Sequence, residues 1–267
     1  MKKIIRNVDK EKGIIQVTIA DERWYYFESE DPKTKLPIHE FDPSVTWIAS
    51  FYPKGVEFYK WLANKGWSEA EAIKSAAGGK GSKVHYAITD LLNDNQITME
   101  DKYLNPTTEQ LEELTLEEWE CLIAFQRWYE AVKPKTIANE FVVRNKKIGY
   151  AGTVDYMCEI DGQVYIVDFK TGQYIWPEYN LQISAYKHAL PKEQQDVKLA
   201  VLQVGYKRNK NGYKFTEIDD KFDLFLAARQ IWSNEVSQKM PLVKDYPVAL
   251  KLTAKEESSK EEAKSDK

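Results

Sequence analysis

GTVDYMCEIDGQVYIVDFKTG, residues 152–172, reads as two extended runs joined by a tight turn. Asp161-Gly162 divides them, and a type I′ hairpin turn needs positive φ at both of its central residues, a demand that Asp-Gly meets well. With those two residues as the whole loop, Ile160 faces Gln163 and, counting back, Asp155 faces Asp168. Period-two alternation puts Lys170 on the same face as Asp168. Two carboxylates and an ammonium therefore meet on one patch of sheet.

That patch is hard to account for by packing. Val154, Tyr156, Ile166, Val167 and Phe169 are apolar on both faces, as in a strand covered on both sides. Like charges directly opposite each other destabilise a sheet. A desolvated carboxylate pair protonates unless a cation compensates it. Lys170 alone would make the group a half-buried salt-bridge cluster; a bound divalent cation accounts better for two acids beside a lysine. Hard oxygen donors favour Mg²⁺ or Mn²⁺.

Outward from the hairpin, the pattern changes from helical to extended at Pro134. Strands are predicted at Thr136–Arg144, Gly149–Ile160, Val164–Phe169, Lys198–Tyr206 and Tyr213–Ile218, with helices from about Pro177 to Leu190 and Lys221 to Lys239. Upstream, Val56–Asn64 is one helix. Ser68-Glu-Ala-Glu71 is a capping box opening a second, which Gly78-Gly-Lys-Gly81 breaks, and Ser82–Asn93 is a third. Thr115-Leu-Glu-Glu118 caps a long helix running to about Val132. Strands at Ile14–Ile19 and Arg23–Glu28 precede a turn-rich stretch containing Pro32, Pro37 and Pro43. The expected fold class is α/β, a mixed central β-sheet flanked by helices and preceded by a helical subdomain. The expected divisions are a β-rich extension (1–44), a helical subdomain carrying His85 (45–133), a core (134–253) and a disordered charged tail (254–267).

The chain has 267 residues, 43% of them hydrophobic, so it can bury a sizeable core. It lacks the apolar segment of a signal peptide and any run of roughly 18 apolar residues that would span a membrane. Its two cysteines, Cys121 and Cys158, are too few for a disulfide framework or a four-thiolate cluster. A cytoplasmic protein, bacterial or phage-encoded within its host, is the expectation. The net charge of −4 argues against an electrostatic coat for nucleic acid but permits a local basic patch. Arg144–Lys147 and Lys207–Lys210 are the candidates, against the alternative of solvated turns.

Gly152-x-x-Asp155, Asp168-x-Lys170 and Gln182-x-x-x-Tyr186, in that order, resemble the PD-(D/E)XK nuclease superfamily in its RecB-like and phage-exonuclease branch. Gly81-Ser82-Lys-Val-His85 resembles that branch's upstream histidine helix. The resemblance covers about residues 45–206 and implies a restriction-endonuclease-like core. It implies that Asp155 and Asp168, with the Phe169 carbonyl, ligate metal, that His85 completes the set, and that Lys170 acts on the attacking water and the phosphorane. Glu140 lies where some members carry another acid, and is either a secondary ligand or a strand-end acid. Gln182 and Tyr186, four apart on one helical face, would position DNA, with Arg144 and Lys147 as further contacts. Taken alone, each has a plainer reading: His85 as a core histidine, Gln182 and Tyr186 as a helix–sheet contact. His39 and His188 are expected at the surface. Tyr174, Trp176 and Tyr179 could stack on unpaired bases, although core packing is the favoured reading.

The expected activity is thus metal-dependent DNA hydrolysis by an exonuclease of recombination, repair or phage DNA processing. A restriction-type endonuclease would not need the His85 helix or the Gln182–Tyr186 helix. A non-catalytic DNA-binding or assembly module would not need the intact acids and Lys170. DNA is the expected partner, with a single-strand annealing protein or helicase by family analogy.

Overall fold

The computed structural model describes residues 3–19 and 22–241. The expected charged tail and residues 242–253 lie outside them. The chain opens with β1 (Lys3–Asp9), β2 (Ile14–Ile19), β3 (Glu22–Glu30) and β4 (Pro37–Pro43), an antiparallel sheet in the order β1-β2-β3-β4. The stretch expected to be turn-rich contains the strand β4. Its prolines occupy the first and last positions of an edge strand, where a missing N–H costs little.

Helices α1 (Val45–Ala49), α2 (Val56–Lys65) and α3 (Trp67–Leu92) follow, then the hairpin β5 (Lys102–Asn105) and β6 (Gln110–Glu113), then α4 (Leu116–Val132). Two helix boundaries differ from expectation. α3 starts at Trp67, directly after Gly66 with φ 75°, so Ser68 lies inside the first turn and caps nothing. The Gly78–Gly81 run does not break α3. Gly79 is a contact point: a Cβ on it would come within 2.6 Å of Asn105 Oδ1, so any side chain there would force Asn105 of the β5 hairpin to move. The Thr115–Glu118 capping box forms as expected.

The central sheet comprises β7 (Lys135–Asn145), β8 (Tyr150–Ile160), β9 (Gln163–Lys170), β10 (Lys198–Val204) and β11 (Tyr213–Ile218), in the order β11-β10-β9-β8-β7. Only β9 and β10 are parallel, and α5 (Pro177–Ala189) connects them; α6 (Phe222–Glu235) closes the described chain. The sheet is therefore mixed and flanked by helices. Asp161 and Gly162 both take positive φ, 49° and 79°, and Ile160 pairs with Gln163, as a two-residue hairpin requires.

Both faces of this sheet are covered. On one, Val154, Ile166 and Val201 pack with Ile183 of α5, Trp47 of α1 and Phe225 of α6. On the other, Tyr156, Val167, Phe169 and Leu202 pack with Val84 and Ile88 of α3 and with Phe125 and Trp128 of α4. Each large side chain buried in this way contributes roughly 1.5–3 kcal/mol. Among the described residues, no helix is long and apolar enough to cross a membrane.

Both cysteines lie in the second core and are fully buried. Burial pushes the Cys121 thiol up to about 11 and the Cys158 thiol up to about 12, so both stay protonated at neutral pH. Iodoacetamide should leave both unmodified in the folded protein and modify both after denaturation, as read by mass spectrometry. Rapid alkylation of the native protein would contradict this packing.

Candidate functional site

Between the N-terminal sheet, α3 and the ends of β8 and β9 opens a cleft of about 850 Å³. Its walls include His85, Glu140, Asp155, Lys170, Gln182 and Tyr186. A smaller hollow of about 390 Å³, around Asp90–Tyr103, shares none of these residues.

Asp155 decides the local geometry. The β8–β9 ladder stops at Tyr156↔Val167, one pair short of the expected Asp155↔Asp168 opposition. In its place the Phe169 N–H donates to Asp155 Oδ2 at 2.9 Å. Alternation also fails here: Val154 and Met157, three apart, pack on the same face of the sheet. On the other side of β8, Glu140 takes φ 43°, a conformation costly for a non-glycine residue and common where function dictates geometry. These irregularities turn Asp155 and Glu140 toward α3. One ligand atom each from His85, Glu140 and Asp155 then lies within 4.8 Å of the others.

His85 bridges the groups. Its Nε2 donates to the Phe169 carbonyl at 2.8 Å, and Nδ1 faces Asp155 Oδ2 at 3.5 Å. Asp168 is not part of the three-residue cluster. It is 1% exposed beneath the cleft, with Oδ2 2.5 Å from Lys170 Nζ and Oδ1 accepting from Gln182 Nε2 at 3.0 Å. Gln182 also donates to the Tyr186 hydroxyl at 2.8 Å, so α5 braces Asp168 through two residues of one face. Lys170 lies over the ring of Tyr179. Glu140 pairs with Arg6 of β1 at 3.3 Å.

Each acid therefore has its own cation. Burial lifts Asp168 to about 6, with Asp155 adding to the rise against the pull of Lys170. Burial would raise Asp155 too, but His85, Lys170 and the Phe169 amide outweigh it and hold the group below its ordinary value. Glu140 is raised by burial and by Asp155, against Arg6 and His85. Burial works against the charge on His85 and on Lys170, yet the facing carboxylates keep both pKa values above their ordinary values.

Other expectations fare differently. Arg144 and Lys147 are not at the cleft. Arg144 is held by Asp42 at 2.6 Å and Glu40 at 3.1 Å and covers Phe27, so its charge serves the junction of β4 and β7; Lys147 is exposed on the turn after it. Tyr174 and Trp176 are not packed in a core: they are 59% and 47% exposed, and Trp176 and Tyr179 line the cleft. His39 is exposed and stacks on Tyr26; His188 stacks on Phe222 and pairs with Asp220. Sequence reasoning missed Arg6, Gln16, Thr18 and Arg23, which the N-terminal sheet brings to the cleft. The only available signal was the alternation of Gln16 and Thr18 with Ile15, Val17 and Ile19. No family model and no curated protein matches the chain.

Gly152 faces the Tyr186 ring, which leaves no room for a Cβ, and Val45 Cγ2 at 3.3 Å closes the other side. Gly152→Ala should lower stability by roughly 1–3 kcal/mol through overpacking. Combined with Tyr186→Leu it should cost less than the sum of the two single changes, because they share one contact. Additive losses in denaturant unfolding would show that this contact does not hold Tyr186 in place.

Proposed function

We propose that this protein is a metal-dependent DNA nuclease with a restriction-endonuclease-like core, acting from DNA ends. The observation that carries the reading is that His85, Glu140 and Asp155 converge within ligand distance beside the Asp168–Lys170 pair, on the floor of an open cleft. A purely structural ion-pair cluster would explain the paired charges. It would not explain why two strands leave regular geometry to direct Glu140 and Asp155 toward a shared point.

The donor set fits the cation expected from the sequence. Two carboxylate oxygens and one imidazole nitrogen suit Mn²⁺ or Mg²⁺ better than a thiophilic metal. His85, Glu140 and Asp155 would hold it; Asp168 and the Phe169 carbonyl, also implied as ligands, are capped by Lys170 and His85. When bound, such a cation polarises the scissile phosphate and lowers the pKa of a coordinated water. Lys170 contributes charge. Asp168 and Asp155 raise its pKa, so at neutral pH it remains an ammonium and offsets negative charge developing on the phosphate oxygens. Gln182 and Tyr186 fix the Asp168 carboxylate, which fixes Lys170.

With Mg²⁺ or Mn²⁺ the protein should degrade linear DNA and spare covalently closed circles, and EDTA should stop it. Lys170→Ala should cut the rate on the order of a hundredfold or more, while oligonucleotide binding stays within a fewfold of wild type. Cleavage that survives EDTA or the Lys170 change would overturn the reading.

Metal affinity should depend on pH in a stated direction. A ligating imidazole must be neutral, whereas Asp155 favours the imidazolium here, so protons compete with the metal at His85. Mn²⁺ affinity should rise from mildly acid to mildly alkaline pH with release of a proton, measurable by calorimetry in buffers of different ionisation enthalpy. His85→Ala should weaken binding and flatten that dependence. An unaltered pH profile in the variant would remove His85 from the ligand set.

A further inference from the structure

The N-terminal sheet lies outside the sequence pattern used above, yet it builds one wall of the cleft. Across its strands Arg6 pairs with Gln16, Gln16 with Tyr25, and Thr18 with Arg23. Directly paired residues point the same way, and so do residues two apart along a strand, so all five share a face. The inner part of that face is anchored. Tyr25 is 2% exposed, and its hydroxyl meets Gln16 Nε2 and Thr153 Oγ1, both at 2.9 Å. Thr153 lies two residues before Asp155 on β8, so the polar remainder of the face overhangs the acidic floor.

That remainder carries two arginines, Arg6 and Arg23. Arg23 has no carboxylate partner among the described residues. The neighbouring acid on β3, Glu22, bonds Trp24 Nε1 and Gln238 instead. Arg6 is 39% exposed in its side chain, lies over the Tyr86 ring, and among the described residues touches an acid only at Glu140. In a chain of net charge −4, two guanidinium groups with neighbouring amide and hydroxyl groups form a wall suited to an anion. The donors lie on three successive strands of the wall, and phosphates accept from arginine, glutamine and threonine alike.

We propose that this sheet face is the backbone-binding wall of the cleft. Arg6 and Arg23 grip phosphates of the DNA strand, and Arg6 exchanges its resting partner Glu140 for a phosphate when a cation occupies the acidic floor. The inference rests on the nuclease reading and adds to it a second surface, supplied by the N-terminal sheet, that holds the strand.

The test uses the full chain and a fluorescent duplex oligonucleotide, with Ca²⁺ present to fill the acidic floor without supporting cleavage, and reads affinity by anisotropy across a salt series. Arg6→Ala and Arg23→Ala should each weaken binding on the order of tenfold. Each should also reduce the slope of log affinity against log salt by about one. Arg6→Lys and Arg23→Lys should retain most of the slope, which separates lost charge from lost folding. Mn²⁺ affinity should be unchanged or higher in Arg6→Ala, because Glu140 loses a competing cation. Wild-type affinity and slope in both alanine variants would overturn the inference and leave the nuclease reading intact. A fall in Mn²⁺ affinity in Arg6→Ala would overturn the exchange by placing Arg6 in the organisation of the floor. Wild-type protein that neither binds nor cleaves DNA would overturn both, whereas cleavage by Lys170→Ala with the expected binding losses would overturn only the nuclease assignment.

Discussion

Asp155 takes the hydrogen bond that the Phe169 N–H would give to β8 in an uninterrupted ladder. Much of the local architecture follows from that exchange. A buried carboxylate needs a donor, and a backbone amide at 2.9 Å supplies one without another side chain. The exchange ends strand pairing at Tyr156↔Val167, breaks the alternation of β8, and frees the Phe169 carbonyl to accept from His85. It thereby connects β8, β9 and α3 through one residue. Facing the same point on β8, Glu140 takes a left-handed backbone conformation, so the irregularity spans two neighbouring strands.

The second constraint is electrostatic. Three carboxylates lie close together in a poorly solvated place, and each is matched by a cation from a different element: Lys170 from β9, His85 from α3 and Arg6 from β1. Removing one partner from a deeply buried pair such as Lys170–Asp168 typically costs about 3–5 kcal/mol, since the other charge is left uncompensated. Arg6, 39% exposed in its side chain, is screened by water, and its pair contributes far less. Exposed pairs such as Lys60–Glu57 contribute at most about 1 kcal/mol. The interior set therefore ties the placement of α3 and of the N-terminal sheet to the sheet's acids. A similar arrangement repeats away from the cleft, where the buried Lys83 of α3 reaches Glu118 at the start of α4. That pair fixes the helix that carries His85.

What the sequence revealed, and what it concealed, follows the range of the forces involved. Asp161-Gly162 announced its hairpin because the φ requirement is local, and the register that follows from it is the observed one. Thr115 and Glu118 announced their cap for the same reason. The order of strands and helices after Pro134 was legible from periodicity, whereas the meeting of His85, Gln182 and Tyr186 with Asp155 and Lys170 in one cleft was expected only from the family resemblance. The interruption beside Asp155 was not legible, because it depends on a side chain outcompeting a backbone carbonyl. Gly79 was misleading, since what it lies against is Asn105, far along the chain. Arg144 looked like a free charge in a basic turn, but its partners Glu40 and Asp42 lie about a hundred residues upstream. β1 and β4 carried too little pattern to be seen, and Arg6 went unseen with them.

The N-terminal sheet is too firmly attached to be an appendage. Trp24 of β3 packs edge-on against Trp47 of α1 and Trp232 of α6, with centroids 5.2 Å and 6.0 Å away, which joins the sheet to the apolar layer beneath α5. Tyr25, the next residue, points the other way and bonds Thr153. One strand thus uses its two faces for two anchors, apolar on one side and hydrogen-bonded on the other. With both in place the sheet has little freedom to swing, so the separation between its arginines and the acids below is set by the core. An anion in such a cleft faces positive charge on the wall as well as the carboxylates on the floor. On the proposed reading this balance matters: a polyanion would otherwise be repelled by the residues that are to hold the cation. The wall offsets that repulsion, so the acids can serve the chemistry without excluding the substrate.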